Sequence, residues 1–155
     1  MKLRVVALGH RMPAWVSAGF GDYAKRLPRE WKLDLVELKP EARDRGRSVA
    51  QTLAVEATRI ATVATGYRLV ALDEHGTAWT TREFARQLRT WQEAAQDVAF
   101  VVGSADGVHA GVKAHASAVV ALSAMTLPHG LARVILIEQI YRAASLLGGH
   151  PYHRE

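Results

Sequence analysis

The chain has 155 residues, 49% of them apolar and 23% charged, the balance of one folded domain and not of a disordered segment. The absence of cysteine excludes disulfides, thiolate metal sites and cysteine nucleophiles. Lys and Arg number 20 against 15 acidic residues, and the resulting +5 favours a polyanionic partner such as nucleic acid, although many basic proteins bind none. The longest apolar runs, Val98 to Val102 and Ala118 to Leu122, are far shorter than the roughly 20 residues of a bilayer span. The opening Met1-Lys2-Leu3-Arg4 lacks the long apolar core of a signal peptide, so a cytoplasmic protein is expected.

Strand-length apolar runs alternate with segments of helical period. Leu3 to Leu8 reads as a first strand, followed by a helical stretch from Pro13 that Pro28 closes. Leu33 to Leu38 is a second strand. The charged segment Glu41 to Arg47 is expected as a solvated loop or frayed helix start, and Ser48 caps a helix that Gly66 ends. Arg68 to Leu72 is a third strand with Asp73-Glu74-His75-Gly76 as its turn. Thr80 and Glu83 have capping-box spacing ahead of a helix with Phe84, Leu88 and Trp91 on one face. Val98 to Val102 reads as a fourth, fully covered strand. A short helix around Ala110 to Ala116, a fifth strand at Ala118 to Leu122, a loop to Gly130 and a helix from Leu131 to Leu147 complete the chain. This alternation predicts a single α/β domain over residues 1–155, with a five-stranded, mainly parallel sheet flanked by helices. Ligands of such sheets lie beyond the carboxyl ends of the strands, which marks the loops after Leu8, Leu72, Val102 and Leu122.

Gly103-Ser104-Ala105-Asp106-Gly107 follows the fourth strand directly. Its spacing matches neither a dinucleotide fingerprint nor a Walker loop, and a tight turn explains it as well as ligand binding does. The loop Leu122 to His129 carries small and apolar residues able to wrap an apolar ligand while backbone groups bond a ring edge; packing under the last helix is the plainer explanation. The tail His150-Pro151-Tyr152-His153-Arg154-Glu155 offers base-stacking and phosphate-binding types, while no metal-ligand spacing supports a metal. The last helix is apolar nearly all round, which predicts burial against the core and a second subunit; Glu138 and Arg142 are spaced to pair along it.

Together, Met1-Lys2-Leu3, Arg11-Met12-Pro13-x-Trp15, Leu72-Asp73, Gly103-x-x-x-Gly107, Leu122-Ser123-Ala124-x-Thr126-Leu127-Pro128-His129 and His150-Pro151-Tyr152-His153-Arg154-Glu155 resemble the bacterial large-ribosomal-subunit pseudouridine N3-methyltransferase H family, of the SPOUT class. The resemblance spans the whole chain; the family's second glycine after the fourth strand is Ser104 here. It implies a C-terminal trefoil knot and S-adenosyl-L-methionine bound by Leu72, Gly103 and the loop residues Leu122, Ser123, Ala124, Met125, Thr126 and Leu127. It also implies a homodimer, without membrane or metal, that methylates N3 of a pseudouridine in 23S ribosomal RNA on the assembled ribosome. His129, Glu138 and His153 are then candidates to take the N3 proton, and Tyr152 and Arg154 to position the base and a phosphate. A non-catalytic ribosome-binding protein is the alternative. On this reading, a bulky residue at Gly103 blocks the cofactor but leaves the fold, Glu at Ile137 weakens the dimer, and loss of residues 150–155 barely changes stability.

Overall fold

The computed structural model describes residues 1–44 and 46–153, the last of these by its backbone. Five strands, β1 (Lys2–Leu8), β2 (Lys32–Leu38), β3 (Arg68–Ala78), β4 (Val98–Val102) and β5 (Ala118–Ala121), form one sheet in the order β2-β1-β4-β3-β5. Every pairing is parallel. The helices are α1 (Ala14–Ala24), α2 (Val49–Val63), α3 (Thr81–Glu93), α4 (Ala110–His115) and α5 (His129–Leu147), and a single 3-10 turn follows at Pro151–His153.

Period-two alternation sends the side chains of each strand to two separate cores. Leu3, Val5 and Ala7 of β1 and Val98, Phe100 and Val102 of β4 meet Phe20, Leu88, Trp91, Leu136, Ile137 and Ile140, from α1, α3 and α5. On the other face Val6, Leu8, Ala99 and Val101 pack against Ile60 and Ala64 near the end of α2, and Val112 of α4. The result is a three-layer sandwich, with all five residues of β4 buried as its continuous apolar run predicts. Both expected caps form: Ser48 accepts from Gln51 N, Thr80 accepts from Glu83 N, and the Gln51 and Glu83 side chains return the bond.

Two expectations change. Asp73–Gly76 is not the turn that ends β3 but a bulge within it, because Leu72 and Thr77 both stand opposite Val120. At Gly76 the bulge crosses the β5 backbone so closely that a Cβ would lie 2.7 Å from the Val119 carbonyl oxygen, an approach only glycine permits. The all-round apolarity of α5 arises largely within one chain, because it lies between α1 and α3 with Leu136, Ile137 and Ile140 against the sheet. Ile137 is fully buried there, so it belongs to the core and not to an intersubunit face. No helix among the described residues is long and apolar enough to cross a membrane.

Ile137→Ala should lower the unfolding free energy by about 2–5 kcal/mol, through lost transfer energy and the cavity left behind. Chemical denaturation measures this, and a loss below about 1 kcal/mol contradicts a core position. Ile137→Glu should leave little folded chain, because it buries an unpaired charge.

Candidate functional site

The bulge of β3 and the carboxyl ends of β4 and β5 surround a cavity of about 750 Å³, within the range of small-molecule sites. Its walls come from Leu72 and the Asp73–His75 part of the bulge, from Val102 and the Gly103–Gly107 turn, from Lys113, and from Leu122 to Ala132 excepting Ala124, Gly130 and Leu131. Of the eight expected cofactor residues, Leu72, Gly103, Leu122, Ser123, Met125, Thr126 and Leu127 line it, while Ala124 does not. Met125 is 78% exposed at this loop, an uncovered thioether beside the opening.

The turn after β4 owes its shape to its glycines. Gly107 has φ +85°, its N–H donates to the Ser104 carbonyl at 2.9 Å, and Ser104 and Gly107 form a small antiparallel bridge. A Cβ on Gly103 would stand 2.5 Å from the Gly107 carbonyl oxygen. A side chain at Gly103 therefore collides first with the turn itself, so a bulky residue there, expected to block the cofactor and leave the fold, must also displace the turn.

Charge around the cavity is arranged in pairs. Asp73 accepts from Lys113 Nζ at 2.9 Å and from the His75 N–H at 2.8 Å. Burial pushes its carboxyl up, but the Lys113 ammonium and the His75 N–H outweigh that and hold it below the usual carboxylate range. Glu74 accepts from Thr126 Oγ1 at 2.5 Å, joining the β3 bulge to the loop after β5. That loop is braced internally, with Ser123 Oγ accepting from the Met125 N–H at 2.9 Å. Asp73 and Glu74 directly follow the strand the sequence predicts at Arg68 to Leu72, which was the available signal for their place in the wall.

The expected catalytic residues divide into two groups. His129, expected in the loop, is the first residue of α5 and lines the cavity. Glu138 is nine residues further along α5, roughly 14 Å at 1.5 Å per residue. It pairs with Arg142 at 2.6 Å, the expected ion pair. It also accepts from the Tyr152 hydroxyl at 3.2 Å, with the Tyr23 hydroxyl 3.4 Å from that of Tyr152. The Tyr152 ring lies 4.5 Å from that of Tyr141, under the Arg142 guanidinium. Burial first, then the contacts with Tyr23 and Glu138, push the Tyr152 phenol well above its ordinary value, so it stays protonated at neutral pH. Tyr152 thus ties the tail to α1 and α5, through contacts that the expectation of a tail with little effect on stability did not include. The His153 side chain, Arg154 and Glu155 lie outside the described residues.

Arg133, one turn beyond His129, is only 2% exposed. It donates to Glu37 at 2.7 Å and to the Gly9 carbonyl at 3.2 Å, tying α5 to β2 and to the loop after β1. Its helical position gave no sign of this burial, because the partners, Glu37 of β2 and Gly9 after β1, are distant in the chain.

Residues 1–153 match the family model described as predicted SPOUT methyltransferase. The chain is 52% identical over 155 residues to the ribosomal RNA large subunit methyltransferase H of Nitrosospira multiformis, covering 99% of each. It is 50% identical, at the same coverage, to the protein of that name from Burkholderia cenocepacia. Among solved structures it is similar to the SpoU methyltransferase AviRb of Streptomyces viridochromogenes in complex with AdoMet, at TM-score 0.48 and 14% identity, over 96% of this chain and 58% of that one.

The Asp73–Lys113 pair has a pH signature. A carboxyl held low in the folded state contributes stability that is full above about pH 4 and is lost as pH falls through the folded value. Asp73→Asn should therefore lower stability at neutral pH and flatten its decline between about pH 5 and 2. Urea midpoints measured across that range check this, and an unchanged acid slope contradicts it.

Proposed function

The chain belongs to the SPOUT methyltransferase family, and from that premise we propose that it transfers a methyl group from S-adenosyl-L-methionine to N3 of a pseudouridine in 23S ribosomal RNA. It acts on the assembled ribosome in the cytoplasm, as a homodimer with the C-terminal trefoil knot that its resemblance implies. The observation that carries the reading is the cavity between the bulge of β3 and the ends of β4 and β5, whose wall contains seven of the eight residues expected for the cofactor. The curated relatives, half identical over full length, are named as methyltransferases of large-subunit ribosomal RNA.

The residues present suit this cofactor. The cavity has the volume of a small-molecule site, apolar walls in Leu72, Val102, Leu122 and Leu127, and two backbone segments able to bond a ring edge. Asp73 is neutralised by Lys113, which leaves the Glu74 carboxylate on the rim for a cationic ligand. When bound, the cofactor supplies an electrophilic methyl on a sulfonium sulfur that departs as a neutral thioether. The work left to the protein is alignment and removal of a proton. His129 stands on the cavity wall with an imidazole able to accept the N3 proton. Glu138, hydrogen-bonded to Tyr152 and paired with Arg142, instead holds the tail in place. The dimer is supported by the outer face of α1, where Ala14 and Ala18 are exposed beside a Trp15 that is 57% exposed.

Mass spectrometry of ribosomal RNA from a strain lacking this protein tests the reaction. One pseudouridine nucleoside of the large subunit should be lighter by a methyl group, and the purified protein with S-adenosylmethionine should restore it on isolated ribosomes. An unchanged modification profile contradicts the reading. Light scattering at micromolar concentration should give twice the chain mass, and a monomer contradicts the dimer.

A further inference from the structure

The charged segment before α2, which the sequence presents as a solvated loop, is bolted to the turn after β4. Glu56, on α2, is 2% exposed, an uncommon burial for a carboxylate and one that requires full pairing. Its Oε1 accepts from Arg43 Nη1 at 2.8 Å and from the Glu41 N–H at 3.1 Å, and its Oε2 accepts from Ser104 Oγ at 2.8 Å. Arg43 spends its other two nitrogens on the turn, donating from Nη2 to Ser104 Oγ at 2.8 Å and from Nε to Asp106 at 2.9 Å. Nη1 also donates to the Glu41 carbonyl at 2.6 Å. Glu41 is in turn paired with Arg47 of the same segment and with Arg59 of α2, which ties the start of the segment to that helix.

Ser104 and Asp106 line the cavity; Arg43 and Glu56 do not. We infer that Arg43 and Glu56 are positioning residues for the cofactor, a bracket that sets the pose of the Gly103–Gly107 turn through Ser104 and Asp106. The inference rests on the cofactor reading above. The turn's internal hydrogen bond joins backbone to backbone and leaves the Ser104 and Asp106 side chains to other partners. The planar guanidinium braces the turn from outside, because one rigid fork must satisfy residues 104 and 106 together. Ser104 completes the bracket because a hydroxyl can donate to Glu56 and accept from Arg43 at once. Where the resembling family has glycine, that bridge has no atom to form it.

The test is calorimetric titration of the full chain with S-adenosylmethionine, paired with thermal melting and with methyl-transfer kinetics on ribosomes. Arg43→Met should raise Kd and the cofactor KM about tenfold, with kcat at saturating cofactor changed less than about twofold. Arg43→Lys should recover part of the affinity, since one ammonium reaches Glu56 or Asp106 but not both. Ser104→Ala should weaken binding by itself, yet add little in the Arg43→Met background, because both substitutions open the same bracket. A wild-type Kd in folded Arg43→Met or in Ser104→Ala, even beside a lowered Tm, overturns the inference. Should Arg43→Met fail to fold, Ser104→Ala decides alone. Failure of the wild-type chain to bind S-adenosylmethionine instead strikes the cofactor reading, and the bracket with it.

Discussion

A sheet whose strands all run parallel must bring every strand to its carboxyl end along the same edge, and the rest of this structure depends on that constraint. Because the core strands are covered on both faces, they carry no room for polar chemistry, and each chemically useful group is displaced into the turns at that edge. β4 is the extreme case. All five of its residues are buried, and the chain leaves it through a turn whose own carbonyl would touch any side chain placed at Gly103. The bulge of β3 and the loop after β5 close on the same space, joined by the Glu74–Thr126 hydrogen bond.

Electrostatics refine what topology collects. The chain is basic overall, yet the cavity is rimmed by carboxylates, each held by a partner of its own: Asp73 by Lys113, Asp106 by Arg43, Glu74 by Thr126. Paired this way, Asp73 stays ionised at neutral pH despite its burial. A net charge of +5 suits a polyanionic RNA, while Glu74, the rim carboxylate held by a neutral hydroxyl, keeps its charge for a cationic small ligand. The two charge patterns occupy different length scales and do not conflict.

The sequence showed the layout of the fold in its periodicities. The continuous run Val98–Val102 marked the central strand, and Ser48 and Thr80 marked helix starts, because these signals are local. The loops around the cavity were legible for a related reason: each directly follows a recognisable strand. What stayed hidden rests on long-range partners. Glu56 and Arg43 look like ordinary surface charges until α2 is laid beside Ser104, 48 residues from Glu56 in the chain. Ile137 looked like an interface residue because apolarity alone does not say which neighbour covers it; the answer was the sheet. The bulge in β3 depends on how closely Gly76 approaches β5, which no local pattern encodes.

We propose that the turns after β4 and β5, with the bulge of β3, hold the methyl donor. Hydrogen–deuterium exchange of the full chain with and without saturating S-adenosylmethionine should then show slowed exchange in peptides covering residues 103–107 and 122–127, with α3 and the N-terminal half of β2 unchanged. Slowed exchange confined to other segments, or none at saturating ligand, would contradict it.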